Sequence, residues 1–265
     1  IFSGFFSDAQ IIRKYSNEFL NIGAGARGLA MGGAVISNQN DVYSPMWNPA
    51  GLIDIDRDWQ GAAMHAEYFE SIAKYDYIAF AKPLDNKGGV FALSIVRLGV
   101  DNILNTTQLI DSEGNIDYDK ITSFSQSDYA ALLSYAFRPG SHRLSVGINA
   151  KMVYRNVGKF ASGYGFGFDL GVLYNADNGI NYGAMLRDAT TTVNFWTVNQ
   201  DELSAVVNGE EFNPAPKDKM EITMPKLNLG ISKKFEINRD LELLPEAGLN
   251  IDFAKTAAVI STDFA

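Results

Sequence analysis

The chain has 265 residues, of which 46% are hydrophobic and 20% charged, and its formal net charge is −9. This charge disfavours nucleic acid as a partner, because phosphate binding requires clustered lysine and arginine. The chain contains no cysteine, which excludes disulfides, thiolate metal sites and cysteine nucleophiles together. No apolar run reaches the roughly 18 residues that a membrane helix needs.

The first ten residues, IFSGFFSDAQ, have the pattern of the end of a secretory signal peptide. An apolar stretch is followed by the small-x-small sequence Ser7-Asp8-Ala9, which is typical of a cleavage site. We therefore expect residues 1–9 to be the end of a signal peptide and Gln10 to be the first mature residue. A hydrophobic N-terminal strand is the alternative.

Residues 10–56 are predicted to form an N-terminal segment without strands. Ile11 to Leu52 is rich in Gly and Ala and contains Ser-Pro and Asn-Pro turn signals. Gly23 to Gly28 has the spacing of a dinucleotide fingerprint, but Gly32-Gly33 would break the helix that such a site needs. We interpret the glycines as positions where bulky side chains would not fit.

From residue 57 onward, the sequence predicts about nine strands joined alternately by short turns and long loops. In Gly163–Asn175, large apolar residues alternate with Gly and Asp, which is the two-residue period of a strand. The polar stretches Asp101–Gln126 and Val198–Lys219 are predicted to be long loops. The predicted strands are Trp59–Phe69, Ile72–Lys82, Gly89–Leu98, Asp128–Phe137, Arg143–Arg155, Gly163–Asn175, Ile180–Leu186, Lys226–Ile237 and Leu241–Phe253.

These strands predict an all-β, antiparallel transmembrane β-barrel over residues 57–265. Strands of roughly 9 to 13 residues can cross a bilayer at a tilt, whereas strands in soluble sheets usually have about five or six residues. The many aromatic residues fit girdles at the two membrane interfaces. A soluble β-sandwich is the alternative. Because such barrels have an even number of strands and Val259–Ala265 reads as the start of another, we expect C-terminal strands to be missing from this sequence.

No catalytic residue, metal site or cofactor is predicted, so we expect the protein not to be an enzyme. The two histidines, His65 and His142, lie in unrelated segments without a metal-ligand spacing. Arg187 and Asp188 are expected to form an ion pair at a strand end.

Two groups of residues carry a resemblance to a known family. The first group resembles the opening of the PorV/PorQ family, and it consists of FLNIGAGARGLAMGGA at residues 19–34, Asn40-Asp41 and WNPAGL at residues 47–52. The members of this family are outer-membrane proteins of the type IX secretion system, related in fold to the FadL long-chain fatty-acid transporters. Lys151–Tyr154, Phe160–Gly171 and Met185–Thr192 resemble the PorV branch in particular. The motif residues are Gly23, Gly25, Arg27, Gly28, Gly32, Gly33, Asn48, Pro49 and Gly51.

The resemblance implies a FadL-like barrel of about 14 strands in the outer membrane of a Gram-negative bacterium, with the N-terminal segment as its plug. It implies a non-enzymatic secretion component that receives cargo from the translocon through the cargo's C-terminal signal domain and passes it to the surface attachment machinery. The expected partners are therefore the secretion translocon, secreted cargo proteins and outer-membrane lipid.

Two further expectations concern partners and ligands. Because loops on a rigid scaffold carry recognition, the two long loops are candidate contact sites, with Phe212, Pro214 and Pro216 as candidate contact residues in the second. The alternative function is a FadL-like transporter of hydrophobic small molecules, which requires an apolar pocket inside the barrel.

Overall fold

The structure, a computed structural model, describes residues 16–56, 58–84, 88–111, 113–203, 205–207, 210–212, 220–239, 241–253 and 259–264. The predicted signal peptide, residues 1–9, lies outside the described residues. Pro214, Pro216 and the side chain of Phe212 also lie outside the description, while the backbone of Phe212 ends a short strand.

Residues 16–56 fold into short helices. Two of these helices have a proline, Pro45 or Pro49, at the first or second position, where the missing N–H has no helical partner to lose. As predicted, the described residues of this segment contain no strand. The helices are a 3₁₀ helix at Glu18–Asn21, α1 at Ala26–Ala30, α2 at Ser44–Trp47 and a second 3₁₀ helix at Pro49–Asp54.

Sixteen strands follow in the described part of the chain, with a 3₁₀ helix at Tyr118–Lys120 and α3 at Gln200–Leu203. They are β1 (Gln60–Tyr68), β2 (Ala73–Pro83), β3 (Val90–Asn105), β4 (Thr122–Phe137), β5 (Leu144–Val157), β6 (Ala161–Asn175), β7 (Ile180–Arg187), β8 (Thr192–Val198), β9 (Ala205–Val207), β10 (Glu210–Phe212), β11 (Met220–Thr223), β12 (Lys226–Lys233), β13 (Phe235–Glu236), β14 (Glu242–Leu243), β15 (Glu246–Asp252) and β16 (Val259–Phe264).

Twelve of these strands form one antiparallel sheet in the order β1-β2-β3-β4-β5-β6-β7-β12-β15-β16. Strands β7 and β8 both pair with β6, β7 with one end of it and β8 with the other. Strand β11 pairs with β8. In the described part of the chain, the main path of this sheet ends at β1 and β16, and β11 pairs only with β8. The predicted all-β, antiparallel fold is therefore confirmed.

Several predicted boundaries were wrong. Strands β3 and β4 pair with each other as far as Asn105 and Thr122, so the predicted loop Asp101–Gln126 is shortened to residues 106–121. A bulge after Val100, with Asn102 at φ 58°, lets this hairpin continue beyond its neighbours. Strand β8 was not predicted, because the turn at Asp188–Thr191 interrupts the alternation.

The two faces of the sheet differ in chemistry most clearly on β6. We call the face that packs against residues 16–56 the inner face and the other the outer face. On β6 the inner face carries buried Gly and Asp, whereas the outer face carries large side chains such as Phe166, which is 57% exposed. A soluble sheet has the reverse arrangement, with apolar residues buried and polar residues exposed.

An apolar core lies between the N-terminal segment and the inner face of β2, β3 and β4. Tyr77 is fully buried there, and its hydroxyl donates to the carbonyl oxygen of Val42 at 2.9 Å. Burying a large side chain contributes about 1.5–3 kcal/mol, so this core holds the segment against the sheet. Its main members are Phe19, Leu20, Val35, Met46, Trp47, Leu52, Tyr75, Tyr77, Val96 and Leu132.

Candidate functional site

Several motif glycines of the N-terminal segment surround the indole ring of Trp47. A methyl group added to Gly23 or Gly28 would come within 2.3 or 2.6 Å of ring atoms, and one added to Gly33 within 3.4 Å. The indole Nε1 donates to the carbonyl oxygen of Ala24 at 2.7 Å. These glycines therefore leave the space that the ring occupies.

Two other motif glycines allow close contacts elsewhere in the segment. A methyl group on Gly51 would lie 1.8 Å from the carbonyl oxygen of Gln39, which is backbone and cannot move aside cheaply. One on Gly25 would lie 2.9 Å from the ring of Tyr43. Residues 23–51 are therefore packed as one unit.

Arg27 and Gly32 lie at the edge of this unit. Arg27 is exposed, and its Nη1 donates to the carbonyl oxygen of Asn38 at 3.0 Å. A methyl group added to Gly32 would have no atom within 4 Å, and the φ of Gly32 is +61°. Glycine suits this position because of the left-handed backbone and not because of space.

Asn48 and Pro49 join the segment to the sheet. The Nδ2 of Asn48 donates to the carbonyl oxygen of Val172 on β6 at 3.1 Å, while its Oδ1 accepts from the N–H of Ala50 at 3.1 Å. Pro49 lies against β5 so closely that a methyl group on Gly147 would meet its carbonyl carbon at 2.2 Å. The glycine-lined inner face therefore fits the backbone of the segment.

Arg187 is the main side chain of the sheet that holds the segment. It is buried, and its Nη1 donates to the carbonyl oxygen of Leu20 at 2.9 Å and to Oδ1 of Asn21 at 3.1 Å. Its Nη2 donates to the carbonyl oxygen of Met46 at 2.6 Å. One guanidinium thus links two parts of the segment that are distant in sequence.

A buried charge cluster lies on the inner face beside Arg187. The Nζ of Lys151 is 2.7 Å from Oδ1 of Asp169 and 2.5 Å from Oδ1 of Asp188, and all three side chains are buried. The N–H of Asp188 also donates to Asp169 at 2.8 Å. Gly167, paired with Lys151 across the sheet, leaves room for the cluster.

The predicted ion pair between Arg187 and Asp188 was wrong. Arg187 turns toward the N-terminal segment, whereas the carboxylate of Asp188 contacts Lys151. The strand ends at this point and Asp188 has φ 54°, so the two consecutive side chains point to different partners. The sequence placed Lys151 and Asp169 in alternating strands, but their proximity follows from the pairing register of β5 and β6.

Polar contacts also hold other parts of the segment. The buried carboxylate of Glu246 accepts from the N–H of Ser37 at 2.7 Å and from its hydroxyl at 2.8 Å. At the end of the segment, Asp54 forms an ion pair with Arg138 of the β4–β5 turn. Burial raises the pKa of the Asp54 carboxyl, and the charge of Arg138 opposes that rise.

A cavity of about 430 Å³ lies between the segment and strands β12 and β15. Its lining is mostly polar, and the Nζ of Lys226 is 3.0 Å from Oε1 of Glu18. The cavity therefore offers amide and charged groups to a polar solute. Its polar lining residues are Glu18, Asn21, Arg187, Lys226, Asn228, Asn250 and Asp252.

Among the described residues, no group of three or more His, Cys, Asp or Glu side chains is placed to hold a metal ion. None of the helices in the described ranges combines the length and the apolar character needed to cross a membrane. No protein-family model matches the chain, and no curated protein matches it.

Proposed function

We propose that this chain forms the wall and plug of an outer-membrane β-barrel of the PorV/PorQ type, with no catalytic activity. The observation that carries the proposal is the inverted distribution of side chains, since buried charges face inward and exposed apolar residues face outward. One cross-strand row of the outer face, spanning seven strands, is entirely apolar. It consists of Ala63, Ile78, Ile95, Ala131, Met152, Phe166 and Val193.

The outer face changes from apolar to polar over two neighbouring rows, which we take as a membrane boundary. The next row toward the long loops is aromatic on β4, β5, β6 and β8, with Tyr129, Tyr154, Tyr164 and Phe195. On β1, β2 and β3 the same row is charged or polar, with His65, Asp76 and Arg97. The row beyond it is polar or glycine throughout. It consists of Glu67, Lys74, Gly99, Ser127, Asn156, Ser162 and Thr197. Aromatic residues concentrate at the level of lipid headgroups.

The spacing of the aromatic residues fits the thickness of a bilayer. Tyr164 and Tyr174, both on the outer face of β6, are ten residues apart. This separation is about 33 Å along a strand, or about 25 Å across the membrane at a tilt of roughly 40°. Tyr174 and Tyr182 would then mark the second boundary, beside the short turns.

We infer that the sheet closes into a barrel in the membrane. An unpaired strand edge in lipid leaves N–H and C=O groups without hydrogen bonds, at a cost of several kcal/mol each. Strands that follow one another as antiparallel neighbours, joined by hairpins, are the arrangement from which such barrels are built. The N-terminal segment would then fill part of the lumen as a plug.

The proposed role is that of a secretion component that binds cargo and translocon proteins through its rim and loops. What supports this role is that the residues carrying the PorV/PorQ resemblance, Gly23–Gly33 and Trp47–Leu52, pack as one unit. The loop with Phe212, Pro214 and Pro216 stays a candidate contact site. Deleting residues 199–219 should leave the barrel folded and abolish partner binding. Unchanged recovery of partners would contradict that assignment.

The test of the role is affinity purification of the full-length protein from its native outer membrane in mild detergent, followed by mass spectrometry. Co-purification of a large translocon barrel together with secreted proteins that share a C-terminal domain is the expected result. Recovery of the protein alone, or with bound fatty acid, would contradict it.

The transporter of hydrophobic molecules is the weaker proposal. The cavity beside the plug is lined by Arg187, Lys226, Glu18 and amide side chains, and a long acyl chain would desolvate these groups without replacing their hydrogen bonds. Saturable binding of palmitate to the purified protein, lost on replacing Trp47 with Ala, would favour the transporter instead.

A further inference from the structure

The rim beside the long loops carries apolar side chains beyond the proposed membrane boundary. The turn between β1 and β2 exposes Phe69, at 79%, and Ile72. Ala73 pairs with Val100, so this turn lies beside the start of the β3–β4 extension. That extension exposes four more apolar side chains. We call the set the rim surface, and its members are Phe69, Ile72, Leu104, Ile110, Ile116 and Tyr118.

Lipid would not cover the rim surface in the proposed orientation. On the outer face of β4, Tyr129 is followed toward the loop by Ser127, Ser125 and Ser123, and Leu104 pairs with Ser123. The rim surface therefore lies on the aqueous side of the polar row. Clusters of large apolar side chains exposed to water mark contact sites for other proteins.

The backbone holds part of the rim surface in a strained conformation. Phe69, Glu70 and Ser71 are three consecutive non-glycine residues with φ of 54°, 54° and 68°. Non-glycine residues rarely adopt a positive φ, and the sites that retain this backbone conformation are often functional. The strain in this turn is therefore consistent with a constraint beyond folding.

The charge around the rim surface restricts its partner. Residues 101–121 contain five carboxylates and one lysine, a net charge of −4, out of −9 for the chain. This charge repels anionic lipid headgroups, nucleic acid and a second copy of the same acidic chain. It attracts a surface that carries lysine or arginine.

We propose that the rim surface binds a protein partner through a segment that combines basic and apolar side chains. This inference rests on the proposed function and adds to it the location and the chemistry of one contact. The apolar side chains supply the buried area, and the carboxylates steer the approach of the partner and set its orientation.

The test uses the photo-crosslinking amino acid p-benzoylphenylalanine at Tyr118 or Ile116 of the full-length protein in its native membrane. The matched control position is Tyr182, at the opposite end of the outer face. We expect protein adducts at 118 and 116 whose crosslinked peptides carry net positive charge, and lipid adducts at 182. Raising the salt concentration should lower the adduct yield several-fold, because the Debye length shrinks from about 10 Å at 0.1 M to about 3 Å at 1 M.

A charge-reversal variant, Glu113→Lys with Asp119→Lys, should lower the yield several-fold in the same way. These two positions are chosen because the carboxylates of Asp111 and Asp117 are the ones that accept the backbone hydrogen bonds of the loop. The inference would be overturned by any of three results. These are adducts only with lipid or with a second copy of the chain, the absence of adducts at position 116 and at position 118, or an adduct yield that charge reversal does not change. If translocon and cargo still co-purify in that case, the proposed function stands without this contact.

Discussion

At the scale of single residues, the packing of the N-terminal segment depends on its glycines, which lack a side chain, as much as on its large side chains. Gly51 approaches the carbonyl oxygen of Gln39, and Gly23 approaches Trp47, at distances that no other residue type allows. These contacts occur where the segment folds back on itself, so each glycine affects the packing of the whole segment.

Replacing Gly51 with Ala should therefore lower the free energy of unfolding by at least about 1–3 kcal/mol, the usual cost of overpacking. The matched control is Gly61→Ala, because a methyl group there meets only ordinary contacts of 3.5 Å or more. Urea unfolding of the protein in detergent, followed by tryptophan fluorescence, would measure both. Equal midpoints for the two variants would contradict the packing described here.

The buried Lys151 should be far more important than an exposed lysine. Lys151→Met leaves the carboxylates of Asp169 and Asp188 buried without their cation, which costs about 3–5 kcal/mol. Lys159→Met, which breaks the exposed pair with Glu202, should cost less than about 1 kcal/mol. The two free energies of unfolding, from the same urea titration, should differ by at least about 2 kcal/mol. Similar values would show that the cluster is not buried.

At the scale of elements, the alternation of side chains predicted most of the long strands and the antiparallel sheet. Gly163–Asn175 was predicted within two residues of β6 because its period of two is uninterrupted. Strand β8 was missed, since Asp188 and Thr191 both have positive φ and break that period. Asp188 also contacts Lys151, which is far away in sequence, so this turn has a partner that the local sequence does not indicate.

The candidate site could be predicted only in part. The glycines of residues 23–33 indicated close packing, but not that Trp47 is the side chain packed against them. Arg187 was singled out with the wrong partner, because its carbonyl acceptors become neighbours only when the N-terminal segment enters the sheet. Hydrogen bonds to backbone groups leave no pattern in a sequence.

Arg187→Leu should release the N-terminal segment while leaving the sheet intact. The change removes three hydrogen bonds that link residues 20, 21 and 46 to β7. Limited trypsin digestion should then cleave at Arg27, with unchanged circular dichroism of the strands. Arg143→Leu, which breaks an exposed pair with Asp177, is the control and should stay resistant. Resistance of both variants would mean that other contacts suffice to hold the segment.

At the scale of the whole molecule, the buried charges of the inner face and the exposed apolar side chains of the outer face belong to one arrangement. A sheet with this outer face would aggregate in water, because large exposed apolar patches associate. In a bilayer the same face would be solvated by lipid, while buried charges of the inner face are paired with one another and with the N-terminal segment.

A charge in the apolar part of the outer face should therefore prevent insertion of the protein into a bilayer, whereas the same charge beyond the proposed membrane boundary should not. Leu133→Lys places a cation in the middle of the apolar part of the outer face on β4, at a cost of about 2–4 kcal/mol. Ser123→Lys places it on the same strand and the same face, beyond the polar row. Folding into lipid vesicles, measured by the heat-dependent shift on gels, should fail or slow for the first variant only.

The most direct test of the membrane arrangement is a scan of spin labels along the outer face of β4 in lipid vesicles. Because the chain has no cysteine, single cysteines can be introduced for labelling at positions 123, 125, 127, 131, 133 and 135. Labels at 131, 133 and 135 should be relaxed by oxygen dissolved in lipid, and those at 123, 125 and 127 by a nickel complex in water. Access of the nickel complex to all six positions would contradict the proposal that this face contacts lipid.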